Sequence, residues 1–161
     1  MSEKQNDIMD FSDRWWERLP WMEGLLAKEE PTAYQILSAF VCNVILRSKD
    51  AVKIAGNLPP RFIYFITNHP NRGEEKLILL LTPLAIIPGE TGDEPDISIN
   101  IDYYDFVSLL GGKEDLMEMV WSGKIALSGN TIVGMDLKDI IDASIGKMPT
   151  ERPAAWTIGV P

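Results

Sequence analysis

Between Ile97 and Asp102 the chain alternates with a period of two: Ile97, Ile99 and Ile101 are interleaved with Ser98, Asn100 and Asp102. That alternation puts the isoleucines on one face of a strand and the polar residues on the other, so the strand must belong to a sheet with one covered face. Two earlier segments supply neighbours. FIYFIT (Phe62–Thr67) and KLILLLT (Lys76–Thr82) are short and rich in β-branched, aromatic and leucine residues, and NHPNRG between them supplies turn residues. Both are apolar at consecutive positions, which predicts a sheet interior covered on each side. Pro83 and Pro88 bracket a shorter strand, Leu84–Ile87, placed at a sheet edge because proline cannot donate to a ladder. KIALSG, from Lys124 to Gly129, is a fifth strand.

Helical spacing surrounds these strands. Residues 9–28 predict a first helix bent near Pro20, with Trp15, Trp16, Trp21 and Met22 close together. Thr32 is placed to cap a second helix, in which Ile36, Leu37, Phe40, Val41, Val44 and Ile45 recur at three- and four-residue spacing. Asp50 is read as the cap of a short further helix through Ala55, and Gly56-Asn57 followed by Pro59-Pro60 stops it. After the alternating strand, Asp105 is expected to cap FVSLLGG. KEDLMEMVWSG continues as a second short helix with Leu116, Met117, Val120 and Trp121 inward. Thr131 to Ile145 returns to helical spacing, with Val133, Leu137, Ile140 and Ile141 on one side.

Charge and composition exclude several functions. The net charge is −9, no basic stripe reverses it locally, and nucleic-acid binding is therefore not expected. Docking on an anionic membrane is disfavoured for the same reason, leaving transient membrane contact only. No apolar run approaches the roughly 20 residues that span a bilayer. The start, MSEKQNDIMDFSDRWW, lacks a basic segment followed by an apolar one, and Gly159-Val160-Pro161 is not a peroxisomal signal. A cytoplasmic location is expected. Cys42 is the single cysteine and lies in the apolar run AFVCNVIL, which predicts a buried small hydrophobe rather than a reactive thiol.

Catalytic groups do not assemble. His69 is the single histidine, in a polar turn before Pro70, and no Ser-His-Asp or Cys-His set can be built around it. There is no G-x-S-x-G elbow, phosphate-binding loop or dinucleotide fingerprint. Glu90–Asp96 carries four carboxylates, but their spacing is not that of a calcium-binding loop, and a solvated acidic turn explains them. Asp102 and Asp105 are read as a strand end and a helix cap. No catalytic residue, metal site or cofactor is expected.

The order of punctuating residues carries more. DISINIDYYDFVSLLGGKEDLMEMVWSGKIALSGNTIVGMDLKDIIDA resembles the final half of the sterol carrier protein type 2 family. That family runs strand, aspartate-capped helix, glycine plus lysine, second helix, aromatic, x-Gly-Lys, strand, Gly-Asn or Gly-Asp, and a methionine-containing last helix. Asp105, Phe106, Leu109, Gly112-Lys113, Trp121, Gly123-Lys124, Ile125, Leu127, Gly129-Asn130 and Met135 occupy those places. The resemblance implies an α+β, sterol-carrier-type fold: a five-stranded mixed, largely antiparallel sheet with helices over one face. It divides the chain into a Trp-rich N-terminal helical extension (1–30), a lipid-binding domain (31–146) and a C-terminal tail (147–161).

The family binds fatty acids, fatty acyl-CoA, phospholipids or sterols in an apolar tunnel without catalysis of its own. By this resemblance Phe106, Leu109, Leu110, Met117, Val120, Trp121, Ile132 and Met135 line such a tunnel, and the bulk of Trp121 would narrow it. Taken by themselves the same side chains equally describe a close-packed core. A lipid or fatty acyl ligand is the expected partner, with Lys113 and Lys124 as candidate headgroup contacts. The alternative is an interaction or regulatory module with a filled core that uses the Trp-rich segment to bind a partner. Packing on the domain itself is the first expectation for Trp15, Trp16 and Trp21, and a homodimer contact through residues 9–28 the second.

Overall fold

The computed structural model describes residues 10–12, 14–22, 28–90 and 92–147. Two short 3₁₀ turns, Trp15–Arg18 and Pro20–Met22, precede helix α1 (Ala33–Phe40), which widens into a π-helical turn over Val41–Ile45. Helix α2 (Lys49–Gly56) follows, then strands β1 (Arg61–His69), β2 (Gly73–Leu81), β3 (Ala85–Pro88) and β4 (Ile97–Asp102). Helices α3 (Tyr103–Leu110) and α4 (Leu116–Trp121), strand β5 (Ile125–Gly129) and helix α5 (Thr131–Ser144) complete the described chain.

The strands form one sheet in the order β3-β2-β1-β4-β5. β1 and β4 are parallel, with Phe65 opposite Ile99, and every other pairing is antiparallel. This is the expected α+β arrangement. The parallel pair forces a long connection, because β2 and β3 must leave β1 and the chain must cross back to its other side. Asp96 fixes that return. Its backbone N–H donates to the Phe62 carbonyl at 2.9 Å, and its carboxylate accepts from the Phe62 N–H at 2.7 Å. Its carbonyl also accepts from Asn130 N–H at 2.7 Å, so one residue of the supposedly solvated acidic loop joins three strand ends.

The isoleucine alternation falls as predicted: Ile97, Ile99 and Ile101 are buried beside Ile63, Phe65, Leu77 and Leu79. Helix side chains pack on this face. Phe106 meets Phe65 with ring centroids 5.4 Å apart, and a Cβ on Gly134 would come within 3.2 Å of Ile97 Cδ1, so glycine lets α5 approach β4 closely. The opposite face differs from expectation. Phe62, Tyr64 and Ile66 are half-buried and Ile87 is exposed, with Ile78 alone buried beside Tyr64, so among the described residues the second face is only partly covered.

Local caps explain the helix starts. Thr32 and Gln35 form a reciprocal capping box on α1, and the Glu75 carboxylate from β2 accepts from Ala33 N–H and Tyr34 N–H, both at 2.9 Å. Ser48 rather than Asp50 caps α2, accepting from Ala51 N–H at 3.1 Å. Asp102 rather than Asp105 is the N-cap residue of α3, while Asp115 caps α4, accepting from the backbone of Met117 and Glu118. That cap starts α4 at Leu116 and sets its phase. Leu116 and Met119 are buried and Trp121 is 82% exposed, which corrects the inward placement of Trp121.

Two further expectations change. The π turn adds a residue to the α1 spiral, and Cys42 consequently faces out rather than packing as a buried hydrophobe. Over Arg14–Met22 the N-terminal segment forms 3₁₀ turns instead of one bent helix. Residues 1–9, 13, 23–27, 91 and 148–161, which include the rest of that predicted helix and the tail, lie outside the described residues. No helix among the described residues is long and apolar enough to cross a membrane.

Candidate functional site

The apolar layer between sheet and helices is where the predicted lining residues belong. Phe106, Leu109 and Leu110 on α3 are buried in its core cluster, and Met135 on α5 is buried outside that cluster. Met117 and Val120 on α4 and Ile132 on α5 are half-buried, with Val120 packed against the core. Trp121 stands apart in solvent. Lys124 pairs with Glu114, and Lys113 is exposed. Of the eight predicted residues, Phe106, Leu109 and Leu110 lie in the apolar layer and Val120 packs against it, while the Asp115 cap turns Trp121 outward.

At the other end of α3 lies a polar and aromatic cluster. Glu30 is its hub. Its carboxylate accepts from Trp15 Nε1 at 2.6 Å, from His69 Nε2 at 2.9 Å and from the Tyr104 hydroxyl at 2.8 Å. Burial alone would raise the Glu30 pKa; donation from Trp15, Tyr104 and His69 outweighs it and holds the carboxyl below the ordinary glutamate value of 4.5. His69 is buried, and its Nδ1 accepts from the backbone N–H groups of Asn71 at 3.0 Å and Arg72 at 3.2 Å. That bonding puts the proton on Nε2 and leaves both ring nitrogens used. The polar turn of the sequence reading is thus a buried, fully bonded imidazole.

Aromatic rings close around these bonds. Tyr103 packs on His69 with centroids 4.6 Å apart, its hydroxyl donates to the Pro31 carbonyl at 2.6 Å, and Arg72 lies 5.1 Å over its ring. Phe11, Trp15 and Trp16 continue the cluster, with Trp15 edge-on to Phe11, Trp16 and Tyr103. Burial raises the hydroxyl pKa of both tyrosines, that of Tyr104 to about 12, with the Glu30 carboxylate adding to the Tyr104 shift. Trp15 and Trp16 are 2% and 5% exposed. Their surface is consumed within the chain, the first of the two expectations for the Trp-rich segment. The aromatic surface that suggested a homodimer through residues 9–28 is, for these two residues, not available.

Beside this cluster, the carboxyl ends of β1 and β4 and the first turn of α3 enclose a cleft of about 310 Å³, lined by Asn68, His69, Pro70, Asp102, Tyr104 and Asp105. Glu30, Tyr103, Tyr104 and Arg72 were not singled out in the sequence. The partners of Glu30 lie fifteen, thirty-nine and seventy-four positions away, and no local spacing encodes such contacts.

Comparison with known proteins agrees with this architecture. No curated protein matches the chain. Among solved structures, the apo sterol carrier protein 2 from Yarrowia lipolytica is similar with a TM-score of 0.53 at 15% identity, covering 71% of this chain and 90% of that one. Sterol carrier protein domain 2 of Helicoverpa armigera gives a TM-score of 0.52 at 21% identity, covering 70% and 93%. A UbiJ-SCP2 ubiquinone synthesis protein gives 0.54 at 14% identity, covering 69% and 94%. At these identities the likeness is one of fold. The sequence itself matches the SCP-2 sterol transfer family over residues 66–142, from within β1 to within α5. Over residues 66–142 the chain is thus similar to the SCP-2 sterol transfer family, and its fold is that of sterol carrier protein 2 structures.

Proposed function

We propose that this protein binds and carries an apolar lipid, a fatty acid or fatty acyl-CoA being the favoured class, between the helices and the covered face of the sheet, without catalysing a reaction. The observation that carries this reading is the family match over residues 66–142, which includes Phe106, Leu109 and Leu110 of the apolar layer. In this reading Met117, Val120 and Ile132, each half-buried, also meet the ligand. The energetics suit such a ligand. Each methylene transferred from water contributes about 0.8 kcal/mol, so a long acyl chain gains roughly 10 kcal/mol before the cost of association. We assign the carrier to the cytoplasm, with transient membrane contact during loading.

A second reading has its own support. Phe65 and Phe106 are each no more than 1% exposed and touch one another, so side chains fill the layer at that point. In that case the domain is an interaction or regulatory module with a filled core, and the N-terminal segment contributes to partner binding or self-association.

Native mass spectrometry of the gently purified chain, combined with displacement of a fluorescent fatty-acid probe, separates the two. The carrier predicts a co-purifying lipid or saturable, displaceable probe binding. Absence of both sinks it in favour of the module.

A further inference from the structure

We propose that the N-terminal segment Arg14–Met22 is a displaceable internal ligand. Trp15, Trp16 and Met22 occupy part of the apolar layer in the free chain, and an acyl chain of about ten to fifteen methylenes takes their place. This rests on the lipid-carrier reading and adds to it the size of the ligand and the element that must move.

Three side chains of the segment are built into the core. Trp15, Trp16 and Met22 are 2%, 5% and 3% exposed and belong to the same continuous cluster as Phe65, Phe106 and Leu109. Trp15 meets Tyr103 at the start of α3 with ring centroids 6.3 Å apart, and Trp21 meets Phe40 at the end of α1 at 5.5 Å. An indole buries about 150–250 Å². A methylene buries about 30 Å² on the scale that gives its transfer energy. Two indoles therefore remove from water about as much apolar surface as ten to fifteen methylenes. Exchanging one for the other leaves the total burial nearly unchanged, so the balance is set by what fastens the segment. Phe65 and Phe106 already touch within the layer, and the segment's departure is what supplies room for a chain.

The fastening is local. The backbone bonds that shape the segment run inside it, from Glu17 N–H to Arg14 at 3.1 Å, Leu19 N–H to Trp16 at 3.4 Å and Met22 N–H to Leu19 at 3.0 Å. Short 3₁₀ turns of this kind depend on packing more than on their own bonds. Arg14 begins them at a φ of +54°, a left-handed conformation that disfavours a side chain. Toward one end Trp15 Nε1 donates to the Glu30 carboxylate at 2.6 Å, and toward the other Asn43 Nδ2 donates to the Trp21 carbonyl at 2.7 Å. A segment packed as core but shaped by its own turns can leave without unpairing a strand of the sheet. By linkage, loosening it strengthens ligand binding, and the ligand loosens it in return.

The test follows the Trp15 indole N–H, which its bond to Glu30 sets apart by NMR, while the full chain is titrated with dodecanoate. Hexanoate serves as the short-chain control. The expected result is a saturable move of that signal to the position of a free indole, with loss of its exchange protection, for dodecanoate and not for hexanoate at equal concentration. Glu30→Gln and Asn43→Ala loosen the segment without altering the apolar layer. Each should bind the fluorescent fatty acid cis-parinaric acid about tenfold more tightly than the unaltered chain. Saturable binding that leaves the Trp15 signal in place, an equal response to hexanoate, or equal affinity in all three proteins overturns the exchange and leaves carriage standing. Absence of binding in all three overturns both. The Trp15 signal is read on the unaltered chain, so it decides the question even if a variant folds poorly.

Discussion

Glu30 and His69 lie thirty-nine positions apart and meet at 2.9 Å, with the imidazole donating from Nε2 to the carboxylate. Through this contact the segment before α1 is tied to the end of β1, and the same carboxylate holds Trp15 and Tyr104. Replacing Glu30 with alanine leaves three donors without their acceptor. Hydrogen bonds to a charged group contribute about 1.5–3 kcal/mol each, and of the three donors only the half-buried Tyr104 hydroxyl can readily turn to water, Trp15 and His69 being buried. We expect Glu30→Ala to lower unfolding free energy by at least about 2 kcal/mol in urea titration, with near-normal helix and strand content by circular dichroism. An unchanged urea midpoint would mean the aromatic packing alone secures the segment.

The same hub predicts an acid response. Glu30 and Asp115 both have folded-state pKa values below their ordinary ones. In each case burial works in the opposite direction and is outweighed, by Trp15, Tyr104 and His69 for Glu30 and by Lys138 and the α4 backbone for Asp115. A depressed carboxyl pKa contributes stability that is present above the unfolded value and lost as pH falls through the folded one. Stability should therefore decline below about pH 4.5, the ordinary glutamate value. In Glu30→Gln the decline should be shallower, measured as urea midpoints from pH 6 to pH 3. Parallel declines in the two proteins would remove Glu30 from the account.

Much of the architecture was legible because it depends on short-range pattern. The period of two at Ile97–Ile101, the turn between β1 and β2, and the Thr32 cap each express a local rule, and each stands where the sequence puts it. What failed depended on phase. Cys42 follows the start of a π turn, and Trp121 follows the Asp115 cap, so a small change in where a spiral widens or begins moves a side chain to the other face. The aromatic cluster was illegible for a different reason. Glu30, His69 and Tyr104 are joined by tertiary folding, and the sequence near each gives no sign of the others.

Those phase corrections can be checked directly. Cys42 is exposed, so the native chain should react with a thiol reagent such as dithionitrobenzoate without denaturant. A native rate within about tenfold of the rate in urea agrees with the π turn. Full protection until unfolding would restore the buried placement.

Trp121 and Met119 form a matched pair on α4, at 82% and 1% exposure. Truncating an exposed side chain away from specific contacts changes stability by no more than about 0.5 kcal/mol, whereas removing a buried methionine costs about 2–5 kcal/mol. Trp121→Ala should therefore be near-neutral in urea unfolding and Met119→Ala strongly destabilising. The reverse order would place Trp121 back in the apolar layer.

The end of β5 offers the sharpest backbone test. Gly129 has a φ of +120°, and a Cβ there would lie 2.5 Å from the Asp96 carbonyl oxygen. Both the left-handed backbone and the contact oppose any side chain, and the carbonyl cannot retreat freely because it accepts from Asn130 at 2.7 Å. Asp96 also anchors the start of β1 through its bond to Phe62. We expect Gly129→Ala to cost about 2 kcal/mol or more in urea unfolding. In hydrogen exchange, lost protection should concentrate at Asn130 and along the β4–β5 ladder, while the β1–β2 ladder stays protected. Uniform loss across the sheet would instead mean that the Asp96 junction opens as a whole, and that β1 depends on it as much as β5 does.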